Sequence, residues 1–271
     1  MHLLFLFELF VIAYIALILG SFATAVTYRE ARNLAWFNLW GKENDLWSKC
    51  PSCEHKLGVR DLVPIFSWFL SKGKCRHCGE SISIRYPLIE SVCLLACLGI
   101  YVSWGFTAET FFLIALIPFL IALFIIDLEQ MILPNRLISI CLAIAVVFSL
   151  WNFIGIRMEP ILWLRFQDVV AGLVVFPALF WLVGKVMSLI LNRNSIGSGD
   201  IKFLVPCGLL VGFSYLPVFL ILSGVLGVIT AIGLRILRFK LPYSPAFPFG
   251  PSLILGLYFV LIFQGFDIKG F

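Results

Sequence analysis

Two acids and four cysteines are the residues of this chain whose types and spacing could do chemistry. Asp127 lies in F-I-I-D-L-E-Q-M-I-L-P-N and Asp200 in N-S-I-G-S-G-D-I-K-F, each where a long apolar run meets a polar connection. An ionisable group held at such a place is expensive, which makes it a candidate for function. Two carboxylates brought within a few ångströms cannot both ionise and share one proton; the ionised one can take a proton from water while its protonated partner polarises a carbonyl. Such a pair titrates as a unit. Each acid also has a plainer reading. Asp200 suits a helix cap, offering its carboxylate to free N–H groups, and Asp127 suits an interfacial acid beside Arg136. Gly197 and Gly199 merely allow a turn on the plain reading; on the catalytic one they let a substrate backbone reach the acid with no Cβ in the way. Glu129, two residues beyond Asp127, is the alternative acid and reads as solvated.

The cysteines form two populations. Cys50 and Cys53 in C-P-S-C, and Cys75 and Cys78 in C-R-H-C-G, give two C-x2-C pairs with 21 residues between them. Each pair makes a tight knuckle that turns two thiolates toward one tetrahedral ion, and Pro51 and Gly79 suit those turns. A single structural zinc is the reading this spacing favours. A pair of disulfides, or a thioredoxin-like redox pair, are the alternatives; a cytoplasmic loop disfavours the first and the lack of a βαβ pattern the second. His55 and His77 read as solvated, since four thiolates complete the shell. Cys93, Cys97, Cys141 and Cys207 fall in apolar runs and read as small buried hydrophobes.

The elements that must position these groups follow from composition. Of 271 residues, 61% are hydrophobic and 13% charged, and the mean hydropathy is +1.04. These values lie far from those of a soluble domain. An all-α polytopic membrane protein is expected. A hydrocarbon core about 30 Å thick needs about 20 apolar residues per helix, and about eight such runs occur, near 3–26, 87–104, 110–127, 137–153, 168–190, 201–215, 216–237 and 248–265. The expected organisation is a first transmembrane helix at 1–27, a zinc-binding domain at 28–86, and a seven-helix domain carrying both acids at 87–271. The polar segment has too little apolar content to bury a core, so a metal would supply much of its stability.

The first run is no cleavable signal: no Lys or Arg precedes it, Glu8 interrupts it, and Arg29 and Arg32 follow it. Ten of the 20 Lys and Arg lie in the polar segment, and Arg136, Arg193, Lys202, Arg235, Arg238 and Lys240 occupy the alternate connections. Only Arg157, Arg165 and Lys269 fall on the opposite side, and Lys185 stands near the inner end of its helix, where its stem can snorkel. The positive-inside bias therefore places the cysteine segment and both acids on the cytoplasmic side, with both termini outside. Asp168 and Asp267 fall on the outer side and read as a cap and a tail. The net charge of +5 marks topology and contact with the lipid bilayer, and no aromatic-interleaved basic groove points to nucleic acid. Gly208, Gly212, Gly224 and Gly227 are expected at helix–helix contacts.

Taken in order, these segments resemble the prepilin peptidases, the type IV leader peptidases of the A24 family. G-S-F at 20–22 with Tyr28-Arg29 is similar to that family's first motif. It is followed by C-P-S-C, by D-L-V-P-I-F-S-W at 61–68, and by G-K-C-R-H-C-G. Then come I-S-I-R-Y-P-L-I-E at 82–90, I-I-D-L-E-Q-M-I-L-P-N, G-S-G-D-I-K-F, and F-P-F-G-P-S at 247–252. The chain departs from the pattern at Ala23-Thr24 and at Glu30-Ala31.

The resemblance implies an eight-span aspartic protease of the bacterial inner membrane that uses Asp127 and Asp200 with no covalent intermediate. Its substrates would be prepilins and the pseudopilins of type II secretion, cut at the cytoplasmic face after a short basic leader. It also implies methylation of the new N-terminal amine from S-adenosylmethionine, tied to Gly73 and Lys74 before the third cysteine. The residues alone do not yield that second activity, and read Gly73-Lys74 as a turn beside a zinc knuckle. A transporter with the acids as ion sites, or a non-enzymatic assembly scaffold with structural zinc, are the alternatives of other classes. The transporter calls for paired broken helices near the midplane, and no repeat is evident.

Overall fold

Eight long apolar helices and a cysteine-rich segment between the first two are seen in the computed structural model, which describes residues 2–32, 34, 48–154, 159–191, 197–236 and 247–269. The basic residues Lys42, Arg157, Arg193, Arg238 and Lys240, and the N-S-I ahead of Gly197, lie outside the described residues. In chain order the helices are α1 (His2–Glu30), the short α2 (Phe66–Leu70), α3 (Arg85–Trp104), α4 (Ala108–Gln130), α5 (Asn135–Ile154), α6 (Glu159–Leu191), α7 (Ser198–Val211), α8 (Leu216–Ile236) and α9 (Gly250–Lys269). No strand occurs among the described residues, only two isolated antiparallel bridges, Lys49 with Lys56 and Lys74 with Ser81.

Seven helices among the described residues are long and apolar enough to cross a membrane. The eighth apolar run forms α7, which has 14 residues. Such a helix rises only about 21 Å, short of a hydrocarbon core of about 30 Å. It cannot reach the far surface and also bring its first turn, where Asp200 stands, up to the near one.

The chain divides into two compact units, Met1–Ala122 and Leu123–Phe271. In the first, α1 packs along α3. Glu8, the acid inside the first apolar run, is satisfied by the Tyr101 hydroxyl of α3, which donates to it at 2.9 Å. Deeper in the pair, Gly20 lets the two backbones close: a Cβ there would lie 3.0 Å from the Glu90 Cα. In the second unit, α7 is flanked by α5, α6 and α9, and α8 packs on α9. Gly172 and Gly208 form the crossing of α6 and α7, where a Cβ on Gly172 would lie 2.5 Å from the Gly208 carbonyl. Cys93, Cys97, Cys141 and Cys207 are all buried in this helical packing, as expected of small hydrophobes.

Two expectations are corrected. Gly224 meets nothing within 4 Å; the close contact between α8 and α9 is made by Gly256, whose Cβ would lie 3.1 Å from that of Ser223. Asp168 does not cap its own helix, because α6 starts at Glu159. It accepts from the backbone N–H and the hydroxyl of Ser214, at 2.8 and 2.6 Å, and so caps the turn that joins α7 to α8. Asp267 accepts from the Tyr215 hydroxyl at 2.5 Å.

Candidate functional site

Asp127 stands in the last turn of α4 and is 5% exposed. After it the chain reverses through Met131, at φ 55°, whose N–H returns to the Asp127 carbonyl at 2.9 Å. That reversal carries Leu133 back beside the acid before α5 begins. Leu133 is buried and forms a shared wall: a Cβ on Gly199 would lie 3.1 Å from its Cβ, and one on Gly250 would lie 3.3 Å from its Cδ2. Gly250, the first residue of α9, also lies against the acid. A Cβ there would fall 2.6 Å from Asp127 Oδ2 and 3.0 Å from Cγ, and its backbone N–H is directed at the carboxylate.

Asp200 is the third residue of α7 and half-buried. Its carboxylate turns back to the N–H of Gly197, the N-cap residue, which brings no side-chain cap of its own. This is half of a capping box, in which an acid at the third helical position satisfies the N-cap N–H. Gly197 is exposed and lies beside that carboxylate, whereas Gly199 packs on Leu133. Lys202 donates to Asn135 Oδ1 at 3.0 Å, fastening the first turn of α7 to the first of α5. Asp200 lies close enough to Asp127 to feel its charge. Asp127 Oδ2 is buried and has no hydrogen-bond partner among the described residues. Two acids within each other's field titrate as a unit, and the orphan oxygen offers an acceptor to a polar group brought to it. Gly250 and Leu133 were not singled out from the sequence. The signal for the glycine was F-P-F-G-P-S, a motif whose individual residues had no role attached. Glu129 is exposed.

In the first unit, the four sulfurs of Cys50, Cys53, Cys75 and Cys78 lie within 4.8 Å of one another. The two knuckles repeat one hydrogen-bond pattern. Glu54 N–H returns to the Cys50 carbonyl and Gly79 N–H to that of Cys75, both at 2.9 Å. Cys50 N–H reaches the His55 carbonyl at 3.0 Å and Cys75 N–H that of Glu80 at 2.8 Å. The residue after each second cysteine takes positive φ, 56° at Glu54 and 74° at Gly79. Backbone N–H groups of Cys53 and Ser52 converge on the Cys50 sulfur and lower its pKa to about 7. Such a cluster of thiols, one of them already disposed to ionise, could hold a metal ion. His55 and His77 stand apart from it, exposed, with ring centroids 3.4 Å apart.

Gly73 is buried under Trp68 at φ 66°, and a Cβ there would lie 2.9 Å from Trp68 Cζ2. Its N–H donates to the Trp68 carbonyl at 2.8 Å and its carbonyl accepts from Ile82 at 2.7 Å, while the indole N–H donates to the Ile82 carbonyl at 3.0 Å. Lys74 is exposed at the edge of the second knuckle.

Residues 14–104 match the model of the bacterial peptidase A24 N-terminal domain, and residues 114–232, which include both acids, match that of the type IV leader peptidase family. A prepilin leader peptidase/N-methyltransferase of Vibrio cholerae is 31% identical over 92% of this chain and 93% of its own length. The chain belongs to the type IV leader peptidase family. Leader peptidase relatives bearing the same name in Pseudomonas putida and Pectobacterium carotovorum are 30% and 28% identical, over 89% and 94% of this chain and 85% and 92% of theirs. None of these leader peptidase relatives is named as a transporter or scaffold. No solved structure matches the chain.

Proposed function

We propose that this chain removes the basic leader from type IV prepilins and pseudopilins by means of Asp127 and Asp200, and methylates the amine so exposed. Prepilin leader peptidase/N-methyltransferase is the name its relatives carry along their length. The observation that carries the assignment of the acids is the buried, unpartnered Oδ2 of Asp127 within the field of Asp200.

The pair holds one proton. Water adds to the scissile carbonyl carbon as its own proton passes to the ionised acid and the proton of the other acid passes to the carbonyl oxygen. On collapse the amide nitrogen gains a proton, the C–N bond breaks, and the acids return to their starting state. Gly197 leaves room on the exposed side of Asp200 for a substrate backbone, and Gly199 and Gly250 set the spacing of α7 and α9 about Leu133. The place of Asp200 in the first turn of a short apolar helix suits a bond at the boundary between a basic leader and an apolar segment. The excess of Lys and Arg supports a site on the cytoplasmic side of the bacterial inner membrane.

The metal is one structural zinc held by Cys50, Cys53, Cys75 and Cys78. Zinc–sulfur bonds of about 2.3 Å make a tetrahedron with edges of about 3.8 Å, and the Cys50 and Cys78 sulfurs are 3.8 Å apart. S-adenosylmethionine is the co-substrate that supplies the methyl group, and Gly73 and Lys74 belong to that activity. The organisation is a first helix at 1–27, a zinc domain at 28–86 and a peptidase domain at 87–271.

The test is incubation of purified protein with a prepilin in detergent, followed by mass spectrometry. Wild type shortens the substrate, and with labelled S-adenosylmethionine labels the new N-terminus. Asp127→Asn and Asp200→Asn each lower cleavage by at least about 100-fold at unchanged protein level. Cleavage by both variants at the wild-type rate would sink the assignment.

A further inference from the structure

The segment 62–70 lies outside every long helix, yet it exposes an apolar face. Phe66, Phe69 and Leu70 of α2 are 59%, 63% and 76% exposed. Their i, i+3, i+4 spacing puts them on one side of the helical turn, and Leu62 and Val63 just ahead are exposed as well. None of the α2 residues is buried. A cluster of this kind standing in water would be a liability. It is bracketed in sequence by Arg60 on one side and by Lys72 and Lys74 on the other.

Two contacts within the first unit place the start of α2 along the neighbouring spans. Ile65, which opens α2, donates its N–H to Glu90 Oε2 at 2.6 Å. Glu90 is five residues into α3, about 7.5 Å along its axis, and its Cα faces Gly20 of α1. Gly20 is itself ten residues from the end of α1 at Glu30, and the exposed side chains of α1 on either side of it, Ile18 and Phe22, are apolar. The start of α2 is thus tied to the first turns of α3, beside stretches of both spans whose exposed side chains, Ile18, Phe22, Leu88 and Val92, are apolar. Its other end rises toward the cysteines, because Trp68 and Gly73 bond to Ile82, ahead of α3. The bend that tips it is costly: Ile65 has φ 63° and ψ −56°, a conformation a β-branched residue rarely takes. The buried Glu90 carboxylate holds that N–H in place.

We propose that residues 62–70 form a re-entrant wedge that inserts Phe66, Phe69 and Leu70 among the acyl chains of the leaflet facing the cysteine segment, with Lys72 and Lys74 at the anionic headgroups. Apolar side chains inserted below a basic rim is the arrangement by which interfacial helices bind lipid. Lipid is the occupant because the exposed face is apolar, stands beside spans whose own exposed side chains are apolar, and is flanked by Arg60, Lys72 and Lys74, which suit anionic headgroups.

The experiment places benzoylphenylalanine singly at positions 66, 69, 70, 80 and 88 of the full chain, in vesicles of phosphatidylethanolamine and phosphatidylglycerol. After irradiation, intact mass reports what each position captured. Position 88, exposed on α3, is the lipid-facing reference, and position 80, on the second knuckle, the water-facing one. Positions 66, 69 and 70 are expected to take up phospholipid at a yield at least about tenfold above position 80 and comparable to position 88. Yields at 66, 69 and 70 no higher than at 80 would overturn the wedge. So would loss of the lipid adduct in favour of a cross-link when a prepilin is added, which would make the face a substrate surface. Because all three side chains are exposed, the three positions are independent trials that leave the packing of α1 and α3 untouched.

Discussion

Gly250 lies against the carboxylate of Asp127, so closely that a methyl group at its Cα would stand 2.6 Å from Oδ2. The first residue of α9 therefore decides where the acid in α4 can sit. Gly250→Ala must push either the carboxylate or α9 away from the pocket wall at Leu133. A displacement of about 1 Å at a reacting group costs about 100-fold in rate. Cleavage of a prepilin by Gly250→Ala is expected to fall by that order, with the melting temperature lowered by only a few degrees. A variant that cleaves at the wild-type rate would show that the acid is not held by this contact.

Gly73 is tied to methyl transfer by family resemblance, yet its surroundings give it a structural reason to be glycine. It takes positive φ and its Cα faces the Trp68 ring. If the glycine acts by keeping Trp68 seated, then Gly73→Ala should lose methylation and Gly73→Ala/Trp68→Phe should regain part of it, since the smaller ring vacates the space. The residual deficit covers the strain of alanine at positive φ and the lost indole bond to Ile82, about 1 kcal/mol each. Labelled methyl transfer to a pre-cleaved pilin measures this. No recovery in the double variant would mean that Gly73 touches the methyl donor or acceptor directly.

The helices were legible because apolar length is a direct imprint of the bilayer, and the four cysteines because their spacing encodes the knuckles. Helix limits were less so. The apolar run near 168–190 belongs to a helix that begins at Glu159, because Arg165 and Asp168 break the hydropathy but not the backbone hydrogen bonding. For that reason Asp168 looked like a helix start. Asp200 illustrates the same limit from the other side: G-S-G-D is polar, yet it forms the first turn of α7. The role of Gly250 was hidden because a glycine has no side chain to advertise a contact, and the residue it touches lies far away along the chain. Ile65 was hidden because nothing in its type suggests positive φ.

Among residues 48–84 with described burial, only Cys50, Gly73 and Cys75 are buried, so this segment has almost no core. If one ion draws the four thiolates together, the order of the segment depends on that ion. Elemental analysis is expected to find about one zinc per chain, falling on Cys50→Ser. Chelation should then speed amide exchange across 48–84 by at least about tenfold, while exchange in α5, α7 and α9 stays unchanged. Unchanged exchange in 48–84 after complete loss of metal would show that the segment stands on its own packing.

Asp168 offers a test of the turn that carries α7 into α8. Its carboxylate receives two donors from Ser214, and the Phe213 N–H donates to its backbone carbonyl at 3.0 Å. The Gly212 Cα packs on the other carboxylate oxygen, leaving that oxygen no room for a larger neighbour. Asp168→Ala removes the acceptor and leaves the Ser214 N–H without it, at a cost of about 1–3 kcal/mol. Asp168→Asn keeps one acceptor oxygen and should cost less. Thermal unfolding in detergent is expected to rank wild type above Asp168→Asn above Asp168→Ala. Cleavage should persist in all three, because the turn is at the opposite end of α7 from Asp200. Loss of cleavage in Asp168→Asn with full thermal stability would instead couple that distant turn to the acids.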